Sequence, residues 1–493
     1  MARTTLKGQA VWSIVLQFSR FGGNAVVFLA LARFLTLEQI GAFGMAYAPI
    51  RWTQALHKSG ISNSVVASIH VAGDCRPDDR APAFTALFWL SLGVTGFAVL
   101  GIGLLAWGLA RTGPSGEPVA AMMLVMLAVP VAFGLSAVSE GLLQKRLQVR
   151  ALALRTVVVQ IAAAVVAVWL ARAGWGAWSL VGFAGMNAVA SAVLSIILAG
   201  WRPHRGPCIA DMKAELPQMT AISARAVVAA GTRPMMQVAI GLVLGLDAAG
   251  AFQIAQRIYQ ILDALCLAPI RFLVLPLFAR ARDAAGGVLS GDVVLRGLGI
   301  AGLVTAPVYV GTLVVAAPAL DLAIGPDNAR AAVLPLQILC LLGFNITAVT
   351  ILTQAATAAG YPGLPLRRAM LTFVLTLAFG APALLISTEA VTAAFVAGSY
   401  VALARYFIAL GGKLRVAATD LVAAVLRPYL AALLAFLPLA FSQWIVRADF
   451  STGGYALALL VTLVSYAGLV WFLAPGSWHD LATRRPVPAF DET

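Results

Sequence analysis

Polar and basic side chains recur at helical spacing in two apolar stretches near the start of the chain. Neighbouring members are three or four residues apart, so each set falls on one face of a helix. An Arg near the centre of a bilayer costs about 2.5 to 3.5 kcal/mol on insertion scales, so such side chains turn towards protein or water. The pattern therefore predicts an internal cavity suited to an anionic ligand. The first stripe is Gln9, Ser13, Gln17, Arg20 and Asn24, and the second is Tyr47, Arg51, Gln54 and Lys58.

The second half of the chain carries a third stripe, and the apolar segment before it adds two more arginines. We expect Arg20, Arg51 and Arg257, each part of a stripe, to face one cavity. Arg155, Arg271 and Arg405 fall nearer to span ends, where a long side chain can extend to the lipid headgroups. The third stripe is Gln253, Arg257, Gln260 and Ala264, flanked by Gln256 and Asp263. The candidate substrate-binding residues of all segments are Arg20, Asn24, Arg51, Lys58, Arg225, Arg233, Arg257 and Gln260.

Two further ionisable side chains are candidates for ion coupling. Asp263 follows Arg257 on the third stripe, and an acid near an Arg can exchange an ion pair for a proton or cation. His57 directly precedes Lys58, and a His can change its charge near physiological pH. Both also have a structural interpretation, Asp263 as a fixed ion pair and His57 as a hydrogen-bonded side chain.

The composition is that of an integral membrane protein. Hydrophobic residues make up 61% and charged residues only 11%, whereas soluble domains carry about 25% charged residues. Polar residues interrupt the first apolar segment and no small-residue cleavage site follows, so we expect a retained helix rather than a signal peptide. The four cysteines are scattered, without the spacing of a metal site or a disulfide framework, and no metal or cofactor is expected.

The apolar segments predict an all-α polytopic membrane protein with about 14 transmembrane helices. We expect an N-terminal lobe of six helices over residues 1–212, a C-terminal lobe of six over 213–415, a terminal helix pair over 416–475 and a tail over 476–493. Most of the 34 Lys and Arg residues fall on one side of the membrane, which predicts that both termini are cytoplasmic. This distribution accounts for much of the net charge of +14, so nucleic acid is not an expected partner.

The second half of the sequence repeats part of the first. A shift of 209 residues aligns residues 34–46 with residues 243–255, and it places Glu38 opposite Asp247. In both copies the segment ends one predicted span, makes a short turn and opens the next span. Two like lobes around a polar midplane site are the usual construction of an alternating-access transporter.

Several motifs, taken in their order and spacing, resemble a known family over nearly the whole chain. The similarity is to the polysaccharide-transporter branch of the multidrug/oligosaccharidyl-lipid/polysaccharide exporter superfamily. One departure is Val149, where the family pattern favours an aromatic residue. The motifs are Ala32-Arg33-Phe34-Leu35 through Gly41-Ala42-Phe43, Gly141-Leu-Leu-Gln-Lys-Arg-Leu-Gln-Val-Arg150, Gly174-Trp-Gly-Ala-Trp-Ser-Leu-Val181, and Pro269-Ile270 followed by Leu275-Pro276-Leu277-Phe278.

The resemblance implies a flippase and not an enzyme. Its substrate would be an oligosaccharide linked to undecaprenyl diphosphate, moved across the bacterial inner membrane for exopolysaccharide, O-antigen or capsule biosynthesis. The implied partners are this lipid-linked oligosaccharide, membrane lipids, and a polysaccharide polymerase with its export machinery. The residue types agree, because guanidinium groups bind a diphosphate through paired hydrogen bonds and amide or hydroxyl side chains suit sugars.

Two other classes of protein stay open. A cation-coupled multidrug exporter of the same superfamily would need carboxylates in its cavity, yet Glu140 and Asp263 are the main acids in predicted spans. A membrane-embedded polysaccharide polymerase or ligase would need a large outer loop with catalytic side chains, yet the longest predicted outer segment, residues 317–330, is short. The acidic cluster at residues 74–79 is typical of solvated charge rather than of a metal site, and no GxxxxGK[ST] motif for ATP occurs.

Overall fold

The computed structural model describes residues 23–67, 82–111, 116–146, 148–203, 206, 208–444 and 452–473. Every regular element within these ranges is a helix. The chain packs as two compact units, Met1–Ile254 and Ala255–Thr493. The all-α fold class predicted from the sequence is confirmed.

Within the described ranges, the first unit contains nine complete α-helices, one π-helical segment and the start of a tenth α-helix. Thr36 starts α2 with a capping box, because its hydroxyl accepts from the Gln39 N–H and its own N–H donates to Gln39 Oε1, both at 3.3 Å. Gly200 ends α8 with a φ of 62°, a left-handed conformation that Gly adopts without strain. The elements are α1 Asn24–Ala32, α2 Leu37–Ala55, the π segment Leu56–Ile61, α3 Ser62–Ala67, α4 Pro82–Ala110, α5 Gly116–Val125, α6 Ala128–Lys145, α7 Val149–Arg172, α8 Trp178–Ala199 and α9 Ile209–Val243.

The second unit begins at Ala255 within α10, a helix that starts in the first unit. Ser387 starts α15, and its hydroxyl accepts from the Ala390 N–H at 3.2 Å. Large buried side chains such as Tyr309 and Phe436 fill the core of this unit. Its elements are α10 Leu246–Ala284, α11 Gly291–Ile324, α12 Pro326–Cys340, α13 Leu342–Ala358, α14 Gly363–Ala383, α15 Thr388–Leu414, α16 Ala418–Trp444 and α17 Thr452–Leu473.

Eight of the described helices are long and apolar enough to cross a membrane, and two bent pairs raise that number to as many as ten. The bent pairs are Leu246–Leu267 with Pro269–Ala284, at 43°, and α12 with α13, at 42°. Large apolar side chains cover the outside, with Phe97 82% and Leu385 83% exposed, which suits contact with lipid chains. The protein is therefore an integral membrane protein, whereas the count of 14 helices and the lobe boundaries stay predictions.

The two copies of the repeated segment pack directly against each other within the first unit. Helix α2 starts at Leu37 and α10 starts at Leu246, the equivalent position after the 209-residue shift. A Cβ added at Gly41 would collide with the carbonyl oxygen of Leu246, and one added at Gly250 would collide with that of Leu37. Because the two contacts are reciprocal, the segments are related by a local two-fold axis. Only glycine allows the backbones to approach this closely.

The crossing predicts a cost for any added side chain. Gly41→Ala and Gly250→Ala should each lower stability by about 1 to 3 kcal/mol, because backbone carbonyls cannot move aside as flexible side chains do. Gly96→Ala is the matched control, since nothing lies within 4 Å of its added Cβ. Thermal unfolding of the detergent-purified variants, followed by size-exclusion chromatography, measures the difference. Equal melting of all three variants would show that the crossing tolerates a methyl group.

Candidate transport and coupling site

Two basic residues of the second stripe lie where the helix backbone is irregular. Arg51 is half-buried near the end of α2, and Lys58 is half-buried in the π segment that follows. The Lys58 Nζ lies 5.1 Å from the centroid of the Phe133 ring on α6, a distance that allows a cation–π interaction. Pro49 lies inside α2 and removes one backbone N–H. π-Helical turns occur frequently at functional sites, which singles out this part of the stripe.

Asn24, the last residue of the first stripe, belongs to a chain of amide side chains across three helices. Gln160 on α7 donates through Nε2 to Asn24 Oδ1 at 3.2 Å, and Asn187 on α8 donates through Nδ2 to Gln160 Oε1 at 3.2 Å. Gln160 is buried, whereas Asn24 and Asn187 are half-buried. These hydrogen bonds hold Asn24 in a fixed position against α7 and α8.

His57 is buried in a hydrogen-bonded network that joins the π segment to α4 and α6. Its Nδ1 lies 2.6 Å from the Thr53 carbonyl oxygen, and its Nε2 lies 2.9 Å from the Thr95 hydroxyl. The Thr95 hydroxyl is 2.8 Å from the Ser91 carbonyl oxygen, and the Ser91 hydroxyl donates to the Gly134 carbonyl oxygen at 2.9 Å. A Cβ at Gly134 would collide with Thr95 Oγ1, so the network needs a glycine on α6.

Arg155 and Glu140 form a buried ion pair between α7 and α6. Arg155 Nη2 lies 3.6 Å from Glu140 Oε1, and the two side chains are 5% and 8% exposed. Arg155 Nη1 also donates to the hydroxyl of Ser195 on α8. The expectation that Arg155 extends to the headgroups is therefore wrong. The carboxylate of Glu140 draws the guanidinium inwards, because a buried charge needs a partner of opposite sign.

Asp263 forms its ion pair with Arg271. Arg271 Nη2 donates to Asp263 Oδ1 at 2.8 Å, although eight residues separate the two along α10. In a straight helix eight residues span about 12 Å, but α10 contains Pro269 between them and bends by 43°. Arg271, which the sequence had placed at the headgroups, thus bridges the bend with Asp263. Arg257 lies two turns before Asp263 on the same helix.

The remaining candidates distribute over both units. Arg51, Lys58 and Arg233 are half-buried in the first unit, and Arg257 and Gln260 are half-buried in the second. Arg20 lies outside the described residues, and Arg225 lies on α9 with a side chain outside them. The cavity shared by Arg20, Arg51 and Arg257 stays a prediction. Across the described part of the chain, no group of three or more His, Cys, Asp or Glu could hold a metal ion.

The sequence reasoning missed a cavity of about 270 Å³ in the second unit, among α11, α12, α13, α15 and α16. Its lining includes Tyr309, Phe344, Tyr400 and Tyr429. The Tyr400 hydroxyl donates at 2.6 Å to the carbonyl oxygen of Leu341, at the break between α12 and α13. Tyrosines inside apolar spans were the available signal, since a buried Tyr needs a partner for its hydroxyl. The apolar lining suits hydrocarbon rather than a charged group.

Comparison with known proteins places the chain in a family. Residues 30–331 match the family described as polysaccharide biosynthesis protein. The chain belongs to this family. A relative is the succinoglycan biosynthesis transport protein ExoT of Rhizobium meliloti (strain 1021), 24% identical over 334 residues that cover 65% of this chain and 63% of the relative. The match thus spans less than two thirds of that relative's length.

Solved transporters share the fold of this family member. The chain superposes on the lipid II flippase MurJ in an inward closed conformation with a TM-score of 0.75, covering 96% of this chain and 100% of MurJ at 12% identity. An inward-facing multidrug resistance MATE family transporter of the MOP superfamily gives a TM-score of 0.63, covering 81% and 94% of the two chains at 16% identity. At these identities the likeness establishes the fold alone, and the expected resemblance to a polysaccharide family is confirmed by the family match.

The buried ion pair predicts that a single variant is much less stable than the double variant. Arg155→Met leaves Glu140 buried without its described cationic partner and should lower stability by about 3 to 5 kcal/mol. The double variant with Glu140→Leu should recover most of the loss, because neither charge is then buried. Thermal unfolding in detergent provides the measurement.

The control for this pair is the exposed ion pair of Arg282 and Asp283, at 2.7 Å, whose side chains are 36% and 66% exposed. Asp283→Ala should change stability by less than about 1 kcal/mol. A double variant at positions 155 and 140 as unstable as the single one would mean that the pair contributes through packing rather than through charge.

Proposed function

We propose that this protein is a flippase for a lipid-linked oligosaccharide. It moves the head group, carried on undecaprenyl diphosphate, across the bacterial inner membrane by alternating access during surface polysaccharide biosynthesis. The observation that carries the proposal is the combination of the family match with a MurJ-like fold over 96% of the chain. A lipid-linked saccharide is the substrate class that suits both.

The basic stripes supply the chemistry for the diphosphate. Arg51 on α2 and Arg257 on α10 are half-buried, and a guanidinium binds phosphate oxygens through two parallel hydrogen bonds. Asn24 and Gln260 carry amide groups suited to sugar hydroxyls. The polyprenyl tail stays in the hydrocarbon region while the head group crosses the membrane through the protein.

Irregular helices support a transport cycle. Helix α10 bends by 43° around Pro269 and the α12–α13 pair bends by 42°, while the π segment interrupts the second stripe. Such breaks are the places where a helix can change direction without losing its packing. The membrane itself, a polysaccharide polymerase and the export machinery are the proposed partners, with both termini in the cytoplasm.

A cation-coupled multidrug exporter is the second candidate, because the fold is also that of a MATE family transporter. The partners of two acids within described helices argue against it. Glu140 pairs with Arg155 and Asp263 pairs with Arg271, so a cationic drug would have to displace a guanidinium that is part of the chain. A polymerase or ligase is a third candidate, and the relative named a transport protein argues against it.

The proposal predicts that single arginines are essential for export. Arg51→Ala and Arg257→Ala should abolish polysaccharide export and reduce the amount of lipid diphosphate that co-purifies, because each loses paired hydrogen bonds to the diphosphate. Lys at either position should restore partial export, since it keeps the charge without the two-pronged geometry. Complementation of an export-deficient strain and native mass spectrometry of the purified protein measure the two effects.

Arg330→Ala is the control, because Arg330 is exposed on α12. Membrane abundance is measured for every variant. Normal export by both Ala variants at normal abundance would overturn the role of the basic stripes. Tight binding of a cationic dye with no lipid diphosphate bound would favour the multidrug exporter instead.

A further inference from the structure

We propose that His57 is a proton-binding site that couples transport to a proton gradient. This coupling rests on the transport function proposed above and adds to it the driving ion and its site. The site is the network of Thr53, Ser91, Thr95 and Gly134 around the imidazole, which is 1% exposed.

The contacts around the ring can be filled by three protons, one more than the neutral imidazole and the Thr95 hydroxyl carry between them. Three contacts of hydrogen-bond length run from Nδ1 to the Thr53 carbonyl oxygen, from Nε2 to the Thr95 hydroxyl, and from that hydroxyl to the Ser91 carbonyl oxygen. Carbonyl oxygens only accept, so the protons must come from His57 and Thr95. A neutral imidazole carries one N–H and the hydroxyl carries one O–H. An imidazolium supplies the third proton, and all three contacts are then hydrogen bonds.

The same residues also form a network for the neutral ring. With His57 neutral, Nδ1–H donates to the Thr53 carbonyl oxygen and the Thr95 hydroxyl donates to Nε2. With His57 protonated, Nε2–H donates to Thr95, whose hydroxyl turns to the Ser91 carbonyl oxygen. One rotation of a hydroxyl therefore separates the two protonation states, and no helix has to move to accommodate the proton.

The charge of an imidazolium is not balanced by a carboxylate in the described contacts of His57. Helix α4, which supplies Ser91 and Thr95, carries no ionisable side chain, and neither does α3. The nearest acid on α6, Glu140, lies 3.6 Å from Arg155. The ionisable groups of the elements packed against the π segment are Glu38, Tyr47 and Arg51 on α2, Lys58 in the segment, Glu140 and Lys145 on α6, and Asp211, Lys213, Glu215, Arg225 and Arg233 on α9.

This arrangement makes proton binding depend on conformation. A closed, dry site disfavours the charged ring, whereas a conformation that admits water removes that cost. Because His57 lies in the π segment between the stripe residues Gln54 and Lys58, a rearrangement of the stripe also changes the access of water to the ring. A difference in proton affinity between two conformations is what coupling requires.

The first experiment detects the proton directly. The full chain contains four histidines, so ¹⁵N-histidine NMR in nanodiscs is simple and His57→Gln identifies the His57 signal. We expect the imidazolium form to appear as the pH falls, below the range of an exposed imidazole, because burial disfavours the charged ring. Thr95→Val should lower the imidazolium fraction of His57 at a given pH, because the Nε2–H of the charged ring then loses its acceptor. Thr376→Val is the control, since Thr376 is as buried as Thr95, at 4% each, and its hydroxyl donates within its own helix to the Thr372 carbonyl oxygen.

The second experiment measures coupling in proteoliposomes loaded with a pH-sensitive dye, with undecaprenyl diphosphate as the probe. The wild-type protein and Thr376→Val should give probe-dependent proton flux, and His57→Gln should reduce it at least about tenfold because Gln cannot take up a proton. His57→Gln should still bind the probe, and native mass spectrometry measures this binding.

The outcomes separate the two proposals. Equal flux in the wild type and in His57→Gln, or a bound probe with no flux in the wild type, overturns the role of His57 and leaves the flippase standing. If the wild type does not bind the probe, the flippase proposal fails, and NMR alone decides the proton site. A His57 signal that then stays neutral over the whole pH range overturns it.

Discussion

Hydrogen-bonding groups inside an apolar helical protein must find partners within the protein, because lipid offers none. This constraint shapes the described part of the chain. Isolated hydroxyls bond back to their own helix, as Thr376 does at 2.7 Å. Where hydroxyls cluster, they join helices instead. Thr347 lies 2.8 Å from Thr305 and 3.1 Å from the Tyr429 hydroxyl, which ties α13 to α11 and α16.

The same constraint is stricter for charged residues. It distinguishes charges that pair within the protein from those proposed to bind substrate. The Arg155 guanidinium and the Glu140 carboxylate partner each other inside the first unit, which offsets part of the cost of burying either charge. Asp263 and Arg271 do the same across the bend of α10. With these acids paired, the half-buried Arg51, Lys58 and Arg257 are the cations on which the proposed preference for an anionic head group rests.

Local departures from regular helix geometry concentrate on the same elements as the polar groups. The π segment holds both His57 and Lys58, α10 bends beside its ion pair, and the α12–α13 break exposes a carbonyl oxygen that Tyr400 satisfies. Side chains bond backbone carbonyl oxygens at two of them, His57 at Thr53 and Tyr400 at Leu341. The crossing of Gly41 and Gly250 works in the opposite sense, because two regular helix starts approach until only hydrogen atoms fit between them. Along α2 and α10, irregular segments thus follow a tight helix crossing.

The sequence by itself determined the class of protein, the helical fold and the family, because apolar length, periodicity and motif order are local properties of the chain. It also located the repeated segment and the candidate stripes. The tertiary structure decided the partners of polar side chains. Arg155 turned inwards because Glu140 lies on the neighbouring helix, and Asp263 bonded Arg271 because α10 bends between them. The His57 network depends on Thr95, 38 residues away in sequence. The aromatic cavity depends on the packing of five helices. Helical spacing specifies which face a residue occupies, but only packing specifies what that face meets.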